Sequence, residues 1–420
     1  MKDDWKLAVD GGAPVRSAPW PRRCLFGMEE KQAAIDVFDR AIEAGEAFGY
    51  NGPEEQAYCA EFSAFLGGGY ADAVNSGTTA VHVALRALEI EPFTEIVVPP
   101  ITDPGGVMPV PLMGCIPVPA DTAPGSYNTD AERIAARLTP RTRAILVAHI
   151  AGIPCDMDPI LELARARGLP VVEDCAQAHG AVYRGRPVGT LGDIAAFSTM
   201  YGKHHATGGQ GGIVFTRDEQ RYRKIRWMSD RGKPFGLPPG SDNVVAALNL
   251  NSDELACAIG RVQLRKLPGF LARRQRFATS LSQACRKLET VRVLNAPPDC
   301  ENACWFLFFR LDIARLHCDK AAFVAAVRAE GIPCETSYLH TPAIAEWCRA
   351  RRVFGSSGFP WTDPQYGGDA RAVYDLPNAL ATDAAHFRMG IHENCGETEV
   401  ADIAAAFAKV EHVYRLKGAS

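Results

Sequence analysis

Short apolar runs alternate with amphipathic helical patterns through the middle of the chain, and this alternation limits the folds open to it. The runs are rich in Val and Ile, are bounded by Gly, Pro or Asp, and are predicted as strands at 95–99, 144–150, 170–174, 194–199 and 212–216. Helices are predicted between them, as at 79–88 and 158–167. Strands that alternate with helices predict an α/β fold with a largely parallel sheet. Ligands of such sheets bind beyond the carboxyl ends of the strands, where polar residues are therefore candidates for a site.

The pattern changes from about Leu267. A charged helix is predicted at 270–288, an alternating strand at 305–311, and two more helices at 319–330 and 397–416. This order favours a smaller C-terminal α+β domain over 267–420, after a large domain over 1–266.

Charge and cysteine usage exclude several classes of function. Lys and Arg number 45 against 49 Asp and Glu, a net charge of −4 that gives no electrostatic reason to expect nucleic acid. The thirteen cysteines include no CxxC pair and the ten histidines show no metal-ligand spacing, so no metal is expected. The odd cysteine count, the polar start at 1–10 and the lack of a segment long enough to span a bilayer predict a cytoplasmic protein that does not bind membranes.

The segment Asn75-Ser76-Gly77-Thr78-Thr79 stands immediately before a predicted helix. Helix N-termini expose unpaired amides with positive partial charge, and they bind phosphate readily. A Ser or Thr in this position is also common simply as a helix cap. Taken alone, the segment is better explained as a cap.

Asp174 ends a predicted buried strand, and Gln177 follows it closely. A buried carboxylate is costly unless it is paired, and the cationic ring nitrogen of a pyridoxal cofactor would be such a partner. Gln177 is near enough to reach the other edge of the same ring. Capping of the next helix explains Asp174 equally well.

Lys203 follows another strand end and is flanked by glycines. A partly desolvated ammonium near a cationic ring loses its proton more readily, which favours Schiff-base formation. Ser198 is placed to donate to a phosphate, and the glycines allow a ligand to approach the backbone closely. A lone lysine in a loop is usually just solvated, so the prediction depends on the three segments together.

In this order the segments resemble the DegT/DnrJ/EryC1/StrS family of sugar and aminocyclitol aminotransferases, which have the type I fold of pyridoxal-phosphate (PLP) dependent transferases. The resemblance runs from 7–12 to the last predicted helix. It implies that Lys203 holds the cofactor as a Schiff base and that Asp174 and Gln177 contact the ring nitrogen and the ring hydroxyl. It also implies that Ser198 binds the phosphate.

The same resemblance assigns further phosphate contacts to Gly77, Thr78 and Thr79. Asn249 resembles an asparagine that reaches the phosphate from the neighbouring subunit, which implies a homodimer with shared active sites. The family usually has an arginine at the position of Asn251, so this residue is a candidate substrate contact. His340 also matches a family position near the substrate.

One departure from the family pattern affects the ring. The family usually places an aromatic residue over the cofactor shortly after its Val-Pro strand, but the segment 98–104 contains none. We expect either that Ile101 packs on the ring instead or that Asp103 points into the site.

A dehydratase branch of the family carries histidine in place of the lysine. Counting forward from Ser198 assigns the position to Lys203, whereas one of the two family spacings counted back from 211–212 assigns it to His204. Only Lys203 agrees both with the spacing counted forward from Ser198 and with a spacing counted back from 211–212, without an inserted residue. Lys203 is therefore the predicted catalytic residue, and His204 is a polar neighbour near the substrate.

The predicted function is therefore a PLP-dependent transfer of an amino group from glutamate or glutamine to a keto sugar or keto cyclitol, in antibiotic or glycoconjugate biosynthesis. One alternative is a keto-sugar 3-dehydratase that uses pyridoxamine phosphate and His204. Another is a PLP-binding regulator without catalysis, which the complete set of Asp174, Ser198 and Lys203 disfavours.

Overall fold

The computed structural model describes residues 5–416. Its strands are, in chain order, β1 (Tyr70–Val74), β2 (Glu95–Val98), β3 (Ile116–Pro119), β4 (Thr142–Ala148), β5 (Val171–Asp174), β6 (Val182–Tyr183), β7 (Arg186–Pro187), β8 (Ile194–Ser198), β9 (Gly212–Thr216), β10 (Val291–Val293), β11 (Cys300–Glu301), β12 (Phe306–Leu311), β13 (Cys334–Glu335) and β14 (His386–Gly390). Its α-helices are α1 (Met28–Ala44), α2 (Pro53–Phe65), α3 (Gly77–Arg86), α4 (Pro109–Leu112), α5 (Ala131–Ala135), α6 (Met157–Arg167), α7 (Glu219–Ser229), α8 (Glu254–Ala284), α9 (Lys320–Ala329), α10 (Glu346–Arg349), α11 (Pro377–Ala385) and α12 (Glu397–Tyr414).

Seven strands form the large sheet, in the order β1-β9-β8-β5-β4-β2-β3. The strands from β8 to β3 are parallel to one another, and β9 is antiparallel to both of its neighbours. Successive residues of β2, Ile96 and Val97, belong to different core clusters. Because successive side chains of a strand point to opposite faces, the sheet is buried on both faces. The predicted α/β class with a mostly parallel central sheet is confirmed.

The sequence analysis missed two strands of this sheet. The strand β3 contains two prolines, which is tolerated because β3 lies at the edge of the sheet. The strand β1 contains Asp72 and two alanines, and the carboxylate of Asp72 is stabilised by the Ser229 hydroxyl at 2.6 Å. The prolines of β3 and the Asp72 of β1 are residues that strands disfavour, which hid both segments in the sequence.

A second sheet of four antiparallel strands, β10-β12-β14-β13, follows in the C-terminal part. It packs with α9 and α12 around Phe309, Phe387 and Phe407. This arrangement agrees with the predicted α+β character of the C-terminal region.

The helix predicted to begin at Phe270 begins at Glu254 instead, where Asp253 caps it, and it contains Pro268. Proline and glycine normally interrupt helices, so Pro268 and Gly269 disfavour a helix that continues through this segment. Packing overrides this local preference, because Leu267 lies in the core of the large sheet and Leu281 in that of the smaller one. The helix therefore passes through the predicted domain boundary.

Among residues 5–416, no helix combines the length and the apolar composition needed to cross a membrane. The thirteen cysteines are all free thiols.

Candidate active site

A cavity of about 240 Å³ lies at the carboxyl edge of the large sheet, where β5 and β8 end and α3 begins. Six of the predicted cofactor residues line it, namely Gly77, Thr78, Asp174, Gln177, Ser198 and Lys203. A larger open cleft of about 620 Å³ runs beside the edge strand β1 and contains none of these residues. The chemistry of the six residues therefore identifies the smaller cavity as the candidate site.

Lys203 lies in the loop between β8 and β9, and its side chain is buried. Within the described chain its amine has no hydrogen-bond or ion-pair partner, and Nζ lies 3.8 Å from the centroid of the Trp305 ring. Burial lowers the pKa of Lys203 to about 8, an effect that the nearby carboxylates of Asp174 and Asp103 partly offset. A lysine with this pKa is partly neutral near pH 7, and its neutral amine can attack a carbonyl carbon.

The loop that carries Lys203 is held by side chains distant in sequence. The Trp305 indole donates to the carbonyl of Gly202 at 3.1 Å, and the Arg23 guanidinium donates to the carbonyl of Lys203 at 2.5 Å. Arg23 is in turn paired with Glu393 at 3.0 Å. Sequence reasoning missed these residues, and no local motif around them indicates the contact.

Asp174 ends β5 with its carboxylate at the cavity wall, and it is 6% exposed. Its Oδ1 accepts a hydrogen bond from the amide of Ala176 at 3.0 Å. Burial raises the pKa of Asp174, which the Ala176 amide and Lys203 counteract. A buried carboxylate with so little compensation is stabilised by a cationic partner, and a protonated pyridine nitrogen meets that need.

Gln177 is buried beside Asp174. Its Oε1 accepts from the amide of Ala151 at 2.8 Å, and its Nε2 donates to the Tyr338 hydroxyl at 2.7 Å. These two bonds fix the orientation of the side chain and leave one amide hydrogen to donate into the cavity. Contact with a ring hydroxyl remains a prediction.

The turn before α3 forms the anion-binding end of the cavity. Ser76 caps the helix by accepting from the amide of Thr79 at 3.1 Å. A Cβ atom added at Gly77 would lie 2.5 Å from the Cβ atom of Ser198, so only glycine allows this close approach. The helix N-terminus, the Thr78 hydroxyl and the Ser198 hydroxyl therefore converge on one place, which suits a phosphate.

Two predicted cofactor contacts lie elsewhere. The Thr79 hydroxyl donates to Asn75 Oδ1 at 2.7 Å, so it serves the turn and does not line the cavity. Ile101 is fully buried in a core cluster with Phe306 and Tyr338, which corrects the expectation that it packs on the ring. The alternative, Asp103, does line the cavity.

His204 is not placed to contact a substrate, contrary to expectation. Its ring is fully buried, and Nε2 lies 3.0 Å from the carbonyl of Ala303. Burial lowers the pKa of His204 well below its ordinary value, so the ring is neutral. Although His204 is adjacent to Lys203 in sequence, it does not line the cavity.

The other predicted contacts also lie outside the cavity of their own chain. Asn249 is exposed, and its Oδ1 accepts from the Asn251 side chain at 2.7 Å. The segment pairs with the end of β1 through a bridge between Val74 and Asn251. His340 is exposed beside the cavity, where its carbonyl accepts from the Thr102 amide at 2.9 Å.

Next to Asp174, on the same strand, Glu173 forms a buried ion-pair cluster with His149 at 3.1 Å. Glu173 also accepts hydrogen bonds from the amides of Gly189, Leu191 and Gly192. Burial alone would raise the pKa of Glu173, but His149 and these amides lower it. The distances in this cluster, which includes Cys175, would allow a metal ion, but the hydrogen bonds already occupy the carboxylate oxygens, so we assign the cluster a structural role.

The buried amine, the carboxylate and the helix N-terminus fit the aldehyde carbon, ring nitrogen and phosphate of PLP. Comparison with known proteins gives the same result, because the model of the DegT/DnrJ/EryC1/StrS aminotransferase family matches residues 29–407. The chain belongs to this family. Membership confirms the predicted family and fold type, and with them PLP as the cofactor on which the family depends.

Individual relatives cover different shares of the chain. The L-glutamine:2-deoxy-scyllo-inosose aminotransferase of Streptomyces lividus is 30% identical over 96% of this chain and 97% of that protein. The GDP-perosamine synthase of Caulobacter vibrioides is 38% identical, but the match spans only 54% of this chain and 60% of that protein. Among solved structures, an aminotransferase from Psychrobacter cryohalolentis has a TM-score of 0.79 at 29% identity, covering 94% of this chain and 98% of that one.

Proposed function

We propose that this chain is an aminotransferase that moves an amino group from glutamate or glutamine to a keto sugar or keto cyclitol, with PLP held by Lys203. The observation that carries the proposal is the buried amine of Lys203, which has no hydrogen-bond or ion-pair partner among residues 5–416 and shares a cavity with Asp174 and the start of α3. The Streptomyces lividus relative, named for a keto-cyclitol substrate, and the family membership support it.

Each residue has a distinct task in this proposal. Bound PLP supplies the electron sink that stabilises the charge left when the donor carbon loses its proton. The amine of Lys203 takes that proton as general base and returns it as general acid. Asp174 keeps the ring nitrogen protonated, and Ser198 with the N-terminus of α3 holds the phosphate.

The two alternative functions are less well supported. A dehydratase that uses His204 would need this ring in the cavity, but the ring is buried against the carbonyl of Ala303. A regulator without catalysis is less well supported because the matching family model and the Streptomyces lividus relative are those of aminotransferases.

We further propose a homodimer in which Asn249 contacts the phosphate site of the partner subunit. The proposal is supported by the exposure of Asn249 and by that of Leu248, whose side chain is 63% exposed although it is apolar. A cytoplasmic location is likewise proposed, because thirteen free thiols suit a reducing compartment.

The function is tested by incubating the protein with PLP, recording the visible spectrum before and after borohydride, and mapping the modified peptide by mass spectrometry. We expect an absorption band that borohydride abolishes, a mass increment on Lys203, and loss of the band when glutamate or glutamine is added. Lys203→Ala should abolish both the increment and turnover, whereas Lys31→Ala, at an exposed position, should change neither. Cofactor binding without any lysine adduct would favour the dehydratase.

The shared site is tested by mixing two inactive variants. Lys203→Ala and Asn249→Asp homodimers each carry the defect at both sites, but a mixed dimer with shared sites has one site with both defects and one intact site. Activity should therefore reappear after subunit exchange. Failure to recover activity, with mixed dimers verified by mass spectrometry, contradicts the shared site.

A further inference from the structure

Ser198, which binds the phosphate in the proposed function, ends β8 at a place where its backbone carbonyl has no partner on β5. Carbonyls two residues apart on a strand point to the same side. The carbonyl of Ala196 faces β5 and accepts from the amide of Cys175 at 2.8 Å. The carbonyl of Ser198 points the same way, but β5 ends at Asp174, so this carbonyl lies beyond the last bond between the two strands. A buried carbonyl in this position needs a donor from elsewhere.

The side chain of His179 is that donor. Its Nε2 lies 2.8 Å from the carbonyl of Ser198, and the ring is fully buried. Because a carbonyl only accepts hydrogen bonds, Nε2 carries the hydrogen. Burial lowers the pKa of His179 to about 4, so the imidazole is neutral near pH 7. Its Nδ1, which has no hydrogen-bond partner among residues 5–416, therefore carries no hydrogen.

Neighbouring rings leave His179 little freedom to turn. Its ring centroid lies 4.8 Å from that of His205, at an interplanar angle of 82°, and 5.2 Å from that of Phe197. Both neighbours are buried. Since Phe197 immediately precedes Ser198, the His179 ring packs against the same strand end to which it donates. Packing therefore fixes the donor and the strand end relative to each other.

Ser198 also contacts the start of α3. A Cβ atom added at Gly77 would lie 2.5 Å from the Cβ atom of Ser198 and 2.8 Å from its Oγ. Any shift of the strand end would therefore change the position of the Ser198 hydroxyl relative to the first amides of α3. His179 itself does not line the cavity, so it can affect a ligand there only through Ser198.

We propose that His179 is a positioning residue for the cofactor phosphate, because its hydrogen bond to the Ser198 carbonyl places the Ser198 hydroxyl where it and the start of α3 bind one phosphate together. This inference rests on the phosphate contact of Ser198 in the proposed function. One short segment then serves two parts of the cofactor, since Asp174 and Gln177 line the cavity for the ring and His179 supports the phosphate site.

Equilibrium binding of two cofactor forms tests the inference. PLP and pyridoxal share the ring and the aldehyde, and only PLP carries the phosphate, so the ratio of their affinities measures what the phosphate contributes. Both are titrated by absorbance onto the full chain without cofactor. His179→Phe keeps a ring but has no donor. We expect it to lower the ratio roughly 10- to 100-fold, the usual effect of losing one hydrogen bond to a charged group, and to change the affinity for pyridoxal little.

Two amide replacements separate this role from a general effect on folding. In His179→Gln the side-chain nitrogen can reach the place of Nε2, and the wild-type ratio should return. In His179→Asn the nitrogen ends near the place of Nδ1, and the ratio should stay low. This pair decides the test by itself if His179→Phe does not fold. His386→Phe is the matched control, because His386 is a buried histidine that lies 2.7 Å from the carbonyl of Thr382 and outside the cavity. It should keep the wild-type ratio.

Ser198→Ala distinguishes failure of the inference from failure of the proposed function. It should lower the ratio by itself, and adding His179→Phe should lower it no further, because His179 acts through the Ser198 hydroxyl. The inference is overturned by an equal loss of both affinities in His179→Phe, by a wild-type ratio in His179→Asn, by a lowered ratio in His179→Gln, or by an additive loss in the double variant. An unchanged ratio in Ser198→Ala removes the phosphate contact itself, and a wild type that binds no PLP removes the proposed function.

Discussion

Raising the pH of the protein without cofactor should increase the rate at which PLP attaches to Lys203, up to a plateau. Burial lowers the pKa of this amine from its ordinary 10.5 to about 8, and only the neutral amine attacks the aldehyde. Roughly a tenth of the amine is then neutral at pH 7 and about nine-tenths at pH 9. We therefore expect about a tenfold increase over this interval and little change above it.

The expected increase of the attachment rate with pH follows from the lowered pKa of Lys203. Since the folded protein disfavours the ammonium, the reactive neutral form becomes abundant at lower pH than it would on an exposed lysine. An amine with the ordinary pKa of 10.5 would instead accelerate about 100-fold between pH 7 and pH 9 and would not level off.

Attachment is measured by quenching short incubations with borohydride and quantifying the Lys203 peptide by mass spectrometry. The reaction of free PLP with Nα-acetyl-lysine amide, divided at each pH by the neutral fraction of that amine, corrects for ionisation of the cofactor itself. A corrected rate that continues to rise tenfold per pH unit through pH 9 would refute the argument that burial shifts this pKa.

Three other substitutions test the construction of the site. Gly77→Ala should weaken PLP binding roughly 10- to 100-fold in an equilibrium titration, because the added methyl group displaces Ser198 at a cost of about 1–3 kcal/mol of overpacking. Asp174→Asn should lower kcat by a factor on the order of 10²–10⁴ while the Lys203 adduct still forms, because an amide cannot keep the ring nitrogen protonated; near-normal kcat would remove Asp174 from the mechanism. Glu173→Gln should destabilise the protein by about 3–5 kcal/mol in denaturant unfolding, since it breaks a buried ion pair, whereas exposed Glu162→Gln should have little effect.

The fold class and the main residues of the site could be predicted from the order of the amino acids. Strands buried on both faces leave continuous apolar runs in the sequence, and five such runs became strands of one sheet. Asp174 and Ser198 end two of them, and Lys203 follows soon after. Because the carboxyl ends of neighbouring parallel strands meet at one edge, their place in the sequence was enough to predict that they lie together.

The side chains that complete the site come from distant parts of the chain and could not be predicted from it. Trp305 contacts the loop of Lys203 from 103 positions beyond Gly202, and Tyr338 orients Gln177 from 161 positions away. Such contacts depend on how the two sheets pack against each other, which no local pattern encodes. The same packing buries Ile101 and leaves Asp103 at the cavity, because the orientation of a residue after a strand end depends on the elements that cover it.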